Sequence, residues 1–196
     1  MTKRKATTER RTKETHVSVE LSLDGEGNAK VRSGVGFLDH MLELFARHGR
    51  LDLNLEAAGD TEVDDHHTVE DVGIALGQAI DRALADRAGI ARFGYAAVPM
   101  DEALAEVAID LSGRGLLVFN AAFPQEKIGS YDVSLTHEFF QALASNARMT
   151  LHVNTPYGQD GHHITEAIFK AFARALADAV ALDARVKGVP STKGTL

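Results

Sequence analysis

Alternation of hydrophobic and polar residues predicts β-strands early in the chain, because successive side chains of a strand point to opposite faces. The segment 15–23 places valines and leucines at every second position, and a returning strand is predicted over 29–32. Between them, the sequence DGEGN at 24–28 is typical of a hairpin turn. Leucines at 51, 53 and 55 alternate with polar residues and predict a further strand.

Apolar residues spaced by three and four positions predict four helices, since this spacing places them on one helical face. In chain order, the predicted helices cover 37–48, about 66–88, 135–147 and 162–182. Gly49 and Gly89 directly follow the first two, as expected where a helix ends. An acidic loop over 60–65 precedes the second helix.

The order of elements recurs in the second part of the chain. Strands are predicted over 106–111, 116–121 and 149–153, with a second hairpin turn at 112–115. The order strand-strand-helix-strand-helix therefore occurs twice, and an internal repeat of this kind fixes the architecture. Two sequence matches support the duplication: DHHTVE at 65–70 matches GHHITE at 161–166, and LDHM at 38–41 parallels LTHE at 135–138.

We therefore expect an α+β fold in which two halves, 9–98 and 99–186, pack about a pseudo-twofold axis. Residues 1–8 are expected to form a basic, flexible tail. Residues 187–196, which contain glycine, proline, serine and threonine, are expected to form a C-terminal tail.

Composition and charge narrow the function classes. The 196 residues are 44% hydrophobic and 25% charged, as in ordinary globular proteins. Cysteine is absent, which excludes a disulfide scaffold, thiolate-bound zinc, iron–sulfur clusters and thiol catalysis. With 21 basic and 28 acidic residues the net charge is −7, which argues against nucleic acid as a partner. Neither a secretory signal nor a transmembrane run occurs, so we expect a cytoplasmic protein that does not bind membranes.

The nine histidines supply the candidate chemistry because most belong to the repeat. Each half has a lone helical histidine, His40 or His137, followed by His-His-x-x-Glu at the start of a long helix. Residues i and i+4 share a helical face, whereas adjacent residues diverge by about 100°. His66 and Glu70 can therefore bind one ion, while His67 must serve another.

Applied to both halves, this geometry predicts two metal sites that each mix ligands from the two halves. Site 1 would use His40, His67, His162 and Glu166, and site 2 would use His66, Glu70, His137 and His163. Imidazole and carboxylate without thiolate suit Mn, Fe, Co, Ni or Zn. Nearby Asp64, Asp65 and Asp71 are expected to accept hydrogen bonds from the imidazoles.

Three segments carrying these histidines closely resemble the imidazoleglycerol-phosphate dehydratase family. They are GVGFLDHMLELFARHG at 34–49, DDHHTVEDVGIALGQA at 64–79 and GQDGHHITEAIFKAFARAL at 158–176. The similarity runs from about residue 9 to residue 193 and includes no phosphatase domain, so the chain resembles the monofunctional form.

The resemblance implies a duplicated fold like the second domain of ribosomal protein S5. It implies a hydro-lyase that converts imidazole glycerol phosphate to imidazole acetol phosphate in histidine biosynthesis. It also implies two Mn(II) ions per active site and a homo-oligomer of 24 subunits built from trimers, in which one site can draw on different chains.

The same resemblance assigns roles to individual residues. Glu14 matches the acid/base residue, and Glu70 and Glu166 are further catalytic candidates. Arg92, Arg114 and Lys193 match the phosphate contacts. Further candidates for substrate binding are His40, His48, His66, His162, Lys170, Ser191 and Thr192. The tail 187–196 is expected to cover the bound phosphate.

Two other functions remain open on the residues alone. A dinuclear metal hydrolase would release free phosphate from a phosphate ester, and a non-catalytic protein would use its ions only to hold an assembly together. Hydrolase sites usually depend on bridging aspartate or glutamate, so a shell of three histidines and one glutamate favours the dehydratase.

Overall fold

The structure, a computed structural model, describes residues 4–196 and confirms an α+β fold built from two similar halves. The first half contains β1 (Lys5–Arg11), β2 (Thr15–Ser22), β3 (Ala29–Arg32), α1 (Gly36–Gly49), β4 (Asp52–Gly59) and α2 (His66–Leu84). The second contains β5 (Phe93–Met100), β6 (Ala103–Asp110), β7 (Leu116–Asn120), β8 (Lys127–Ile128), β9 (Tyr131–Asp132), α3 (Ser134–Asn146), β10 (Thr150–Tyr157) and α4 (Gly161–Val180). All four predicted helices are confirmed, although α2 ends before its predicted end at 88.

Each half forms a four-stranded sheet, and neither contains the predicted hairpin. The strand orders are β1-β2-β4-β3 and β5-β6-β10-β7, so β4 lies between β2 and β3, and β10 lies between β6 and β7. The loop 24–28 crosses the start of β4, where Asp52 Oδ1 accepts hydrogen bonds from the backbone N–H groups of Glu26 and Asn28. In the second half, Leu116 likewise donates its N–H to the carbonyl of Met149 at the start of β10.

The first strand of each half was not predicted. β1 pairs with β2 from residue 5 onward, so residues 5–8 are a strand and not a tail, while residues 1–3 lie outside the described residues. The inward positions of β1 are largely polar: Thr8 donates to the carbonyl of Ala75, and Arg10 pairs with Asp71. The alternation that reveals a strand is therefore absent.

The strand β5 was not predicted for a different reason. Its large side chains, Phe93 and Tyr95, are exposed, whereas Gly94 and Ala96 face inward. A side chain at Gly94 would overlap the carbonyl oxygen of Ala175 in α4. Because β5 belongs to the second sheet, the halves divide before Phe93 and not at the predicted boundary of 98/99.

The four helices lie between the two sheets and pack crosswise between the halves. The helix α1 packs on α4, and α2 packs on α3. Gly73 and Gly77 in α2 allow this approach, since a Cβ at either would stand 2.7 Å from a backbone oxygen of α3. The N-termini of α1 and α4, which carry His40 and the second histidine motif, are thereby brought to one region. Within residues 4–196, none of the helices is long and apolar enough to cross a membrane.

Candidate active site

Three predicted metal ligands converge where α1 meets α4. His40 Nε2 lies 3.6 Å from Glu166 Oε2, and His162 Nε2 lies 3.3 Å from the same oxygen. Their ligand atoms all lie within 4.8 Å of one another. Glu166 is buried, whereas both imidazoles are partly exposed, so an ion could reach the cluster from solvent. The ligands come from both halves of the chain, as the spacing predicts.

The start of α4 holds its two histidines in place. Asp160 caps the helix by accepting hydrogen bonds from the backbone N–H groups of His162 and His163. The ring of His162 also packs edge-on against Phe37, with 5.1 Å between centroids. Cap and ring contact together define the direction in which His162 points.

Lys170 supplies a positive charge to the same cluster. Its Nζ lies 2.5 Å from Glu166 Oε1, one helical turn along α4. Burial raises the pKa of the Glu166 carboxyl, but Lys170, His40 and His162 outweigh burial and lower that pKa below its usual value. Glu166 is therefore an ionised carboxylate with one oxygen toward the ammonium and the other toward the imidazoles. Lys170, a candidate substrate contact, is paired with this carboxylate.

His67, the fourth predicted ligand of site 1, is not part of the group formed by His40, His162 and Glu166. Its Nδ1 lies 3.0 Å from Asp60 Oδ2 and 3.8 Å from Glu14 Oε2. The hydrogen bond to Asp60 raises the pKa of His67. Glu14 is exposed in the turn between β1 and β2, so the candidate acid/base residue and His67 are neighbours.

His163 occupies the equivalent position in the second half. Its Nδ1 lies 2.7 Å from Glu102 Oε2, and its Nε2 lies 3.7 Å from Asp101 Oδ2. The hydrogen bond that His163 makes to the Glu102 carboxylate raises the pKa of His163. The backbone N–H of Gln159 and the His163 ring in turn lower the pKa of Glu102 to about 2.

The carboxylates that contact these diverging histidines are not the predicted ones. Asp71 accepts hydrogen bonds from Arg10 and Thr15, because it binds the polar inward face of β1 and β2. Asp64 accepts from the backbone N–H of His66, and Asp65 precedes α2 at its N-cap. Asp60 and Glu102 were missed. Glu102 directly precedes β6 as Glu14 precedes β2, and alignment of the repeats would have indicated it.

The remaining predicted ligands lie where α2 meets α3. His66 lines an open cavity of about 590 Å³ together with Lys127 and Asp132. His137, in the first turns of α3, packs edge-on against Phe119. Glu70 follows one turn after His66, as Glu166 follows His162. Within residues 4–196, however, only the group at His40 brings three ligand atoms within 4.8 Å.

The predicted phosphate residues gather around the C-terminal tail. Arg92 pairs with Asp110 and donates a 2.8 Å hydrogen bond to the carbonyl of Pro190. At the other end of the tail, a Cβ at Gly113 would stand 2.5 Å from the carboxyl carbon of Leu196. Ser191, Thr192 and Lys193 therefore lie between Arg92 and the 112–115 loop, which carries the exposed Arg114.

His48 is the last predicted contact. It lies in the last turn of α1 and is half-buried. Burial lowers its pKa, and the nearby charges of Lys170 and Arg174 lower it further. His48 lines an open cavity with Arg174 and Asp178, apart from the side chains of the cluster at His40.

The donor set of the cluster fits a transition-metal ion. Two imidazole nitrogens and one ionised carboxylate suit Mn²⁺ and its neighbours, whereas Ca²⁺ and Mg²⁺ prefer oxygen ligands throughout. Three protein ligands leave coordination positions for a further protein ligand, water and substrate.

Comparison with known proteins gives consistent matches. The family model described as Imidazoleglycerol-phosphate dehydratase matches residues 33–176. The imidazoleglycerol-phosphate dehydratase of Halalkalibacterium halodurans is 58% identical over 193 residues, which cover 98% of this chain and 100% of the relative. That of Desulforamulus reducens is 57% identical over 196 residues, all of both chains.

Solved structures match in fold as well as sequence. Imidazoleglycerol-phosphate dehydratase from Staphylococcus aureus superposes with a TM-score of 0.83 at 42% identity, covering 91% of this chain and 99% of that one. IGPD from Pyrococcus furiosus superposes with a TM-score of 0.84 at 36% identity, covering 96% and 100%.

Proposed function

The chain belongs to the imidazoleglycerol-phosphate dehydratase family, a family of hydro-lyases, and we propose that it dehydrates imidazole glycerol phosphate at a dinuclear manganese site built from its duplicated histidine motifs. The reaction belongs to histidine biosynthesis. The observation that carries the proposed site is the convergence of His40, His162 and Glu166 from the two halves. The product of the reaction is the ketone imidazole acetol phosphate.

Manganese is the proposed metal, with two ions in each active site. His40, His162 and Glu166 would hold one ion, and His66, Glu70 and His137 would supply the equivalent set for the other. A bound ion supplies Lewis-acid stabilisation to an imidazole nitrogen of the substrate. Because histidine ligands are neutral, they leave most of the metal's positive charge available.

The fourth ligand of each site is proposed to come from a second copy of the chain. His67 contacts Asp60 and Glu14 rather than the cluster at His40, which leaves site 1 with three ligands within the described part of the chain. An exposed apolar face on the second sheet supports association, since Phe93, Tyr95, Leu116 and Val118 are all exposed there. We propose the 24-subunit assembly of trimers, in the cytoplasm.

Glu14 is the proposed group that moves the proton. Its exposed carboxylate lies beside His67, so the ligand set and the acid/base group would enter the shared site together. The C–H bond to be broken is not acidic, and a positioned carboxylate lowers the barrier by accepting the proton and returning it.

Phosphate binding is proposed for Arg92, Arg114 and Lys193, with Ser191 beside them. The planar guanidinium of arginine forms two parallel hydrogen bonds to phosphate oxygens. Arg92 is already oriented by Asp110, and the tail lies against it at Pro190. The phosphate would therefore bind between the tail and the 112–115 loop, with the imidazole directed toward the metal ions.

Deleting residues 191–196 is expected to raise the KM for imidazole glycerol phosphate by about 10- to 100-fold, the effect of losing one or two charge-assisted hydrogen bonds. Metal content is expected to stay unchanged, because no proposed metal ligand lies in the tail. Lys193→Ala should reproduce part of the rise, and Lys187→Ala, an exposed lysine of the same tail, should not. Steady-state kinetics and metal analysis would measure both, and an unchanged KM would reject the role of the tail.

The decisive experiment measures ketone formation from imidazole glycerol phosphate by metal-stripped protein, before and after Mn²⁺ is added. We expect ketone only with Mn²⁺. Free phosphate instead of ketone would identify a phosphate-ester hydrolase. Bound Mn²⁺ without any product would reduce the sites to a structural role in assembly.

A further inference from the structure

In each half, one carboxylate lies on the Nδ1 atom of the second histidine of the motif. Asp60 lies 3.0 Å from Nδ1 of His67, and Glu102 lies 2.7 Å from Nδ1 of His163. The two carboxylates are not equivalent in the repeat: Asp60 follows β4, whereas Glu102 precedes β6. The repeat counterpart of Glu102 is Glu14, which lies 3.8 Å from Nδ1 of His67, so in the first half Asp60 makes the shorter contact that Glu102 makes in the second.

Glu102 is held rigidly at this position. The backbone N–H groups of Gln159 and Asp160 donate to its Oε1 at 3.0 and 2.9 Å, while its Oε2 faces His163. A carboxylate with these partners is ionised and can only accept hydrogen bonds. The Nδ1 atom of His163 must therefore be the donor, which fixes the proton on that nitrogen.

Asp60 also directs one of its carboxylate oxygens to its histidine. Its Oδ2 contacts the His67 ring, and its Oδ1 is buried with no hydrogen-bond partner within residues 4–196. Within residues 4–196, the hydrogen bonding of the Asp60 carboxylate therefore depends on Oδ2. The interaction with His67 is the one that the structure provides.

We infer that Asp60 and Glu102 are positioning residues, each of which holds the second histidine of one motif by Nδ1 so that Nε2 is the nitrogen presented to a metal ion. Histidine ligands commonly donate their other ring N–H to a carboxylate, which fixes the tautomer and the ring orientation. This inference rests on the proposed metal sites and adds the residues that orient two of their ligands.

The test uses Glu102→Gln and Asp60→Asn. In Glu102→Gln the amide oxygen can still accept from Gln159 and Asp160, but the amide nitrogen donates toward Nδ1 of His163. That favours the tautomer with the proton on Nε2, and a protonated Nε2 has no lone pair with which to bind a metal. Asp60→Asn makes the same change at His67.

Titration of metal-stripped protein with Mn²⁺, read by the electron paramagnetic resonance signal of free Mn²⁺, measures the affinities. We expect Glu102→Gln to weaken the sites that use His163 by about 10- to 100-fold and Asp60→Asn to weaken those that use His67. Each variant should leave the other class near its original affinity. Glu9→Gln is the matched control, since Glu9 pairs with His16, a histidine outside both sites, at 2.8 Å.

Two results would overturn the inference. One is original Mn²⁺ affinity at every site in both variants. The other is an equal loss at all sites together with a lower Tm of the metal-free protein, which would reduce both carboxylates to general structural roles. If the unchanged protein binds Mn²⁺ but forms no ketone, the proposed function is rejected. The Mn²⁺ affinities of the two variants would then still test whether Asp60 and Glu102 position the histidines. A chain that binds no Mn²⁺ would reject both.

Discussion

Replacing Glu166 by glutamine is expected to lower the Mn²⁺ affinity of site 1 by more than about 100-fold, because even residues that only orient metal ligands typically account for 10- to 100-fold. The side chain keeps its size, so the change removes charge and not packing. Its oxygens contact His40, His162 and Lys170, and the substitution leaves the largely buried Lys170 ammonium without a countercharge. Turnover is expected to fall by at least as much as metal affinity at limiting Mn²⁺.

Mn²⁺ titration of the metal-stripped variant, followed by ketone assays at low and saturating Mn²⁺, measures this loss. Glu43→Gln is the matched control, since it removes the same charge from an exposed position of α1 near His40. The control should bind Mn²⁺ with the original affinity and form ketone at the original rate. A Glu166→Gln protein with two intact classes of Mn²⁺ site and normal turnover would show that the cluster is not the metal site.

The helices were predictable because one physical signal dominates them. Each buries a continuous apolar face, and all four lie in the middle of the molecule between two sheets. Because so much of each helix is buried, its apolar residues recur every three or four positions clearly enough to be recognised in the sequence. The helix starts were predictable too, and they fix which residues of the His-His-x-x-Glu motif share a face.

The strands β1 and β5 could not be predicted because their inward faces do not look hydrophobic. In β1 the inward positions bind polar partners, such as Asp71 and the carbonyl of Ala75, and in β5 they are small because α4 lies so close. The order of the strands in each sheet could not be predicted from the sequence either. The glycine-rich loops have the composition of hairpin turns, but they cross β4 and β10 and form hydrogen bonds with residues at the starts of those strands.

The site was predictable where one helix presents both ligands and unpredictable where distant loops meet. His162 and Glu166 lie one turn apart, so their cooperation follows from helical geometry alone. That His40 joins them depends on the packing of α1 against α4. Glu102 reaches His163 across 61 residues, so only its correspondence with Glu14 in the repeat could have indicated it. Asp60 lies seven residues before His67, in a loop whose path a helical spacing does not describe.

Glu14→Gln is expected to lower kcat for imidazole glycerol phosphate by about 10²- to 10⁴-fold, the usual contribution of a positioned acid/base group. The side chain is exposed and is not one of the proposed metal ligands, so Mn²⁺ affinity should not change. The amide keeps the size of the carboxylate but cannot accept and return a proton. Steady-state kinetics at saturating Mn²⁺ measure the effect.

The division of the loss between kcat and KM decides what Glu14 does. A group that acts on the proton only in the transition state lowers kcat and kcat/KM equally, whereas a group that merely binds substrate raises KM. Glu20→Gln, an exposed glutamate on β2, is the control and should behave as the unchanged protein. A normal kcat in Glu14→Gln would transfer the proton step to another carboxylate. A raised KM with normal kcat would leave Glu14, beside His67, as a substrate contact in the shared site.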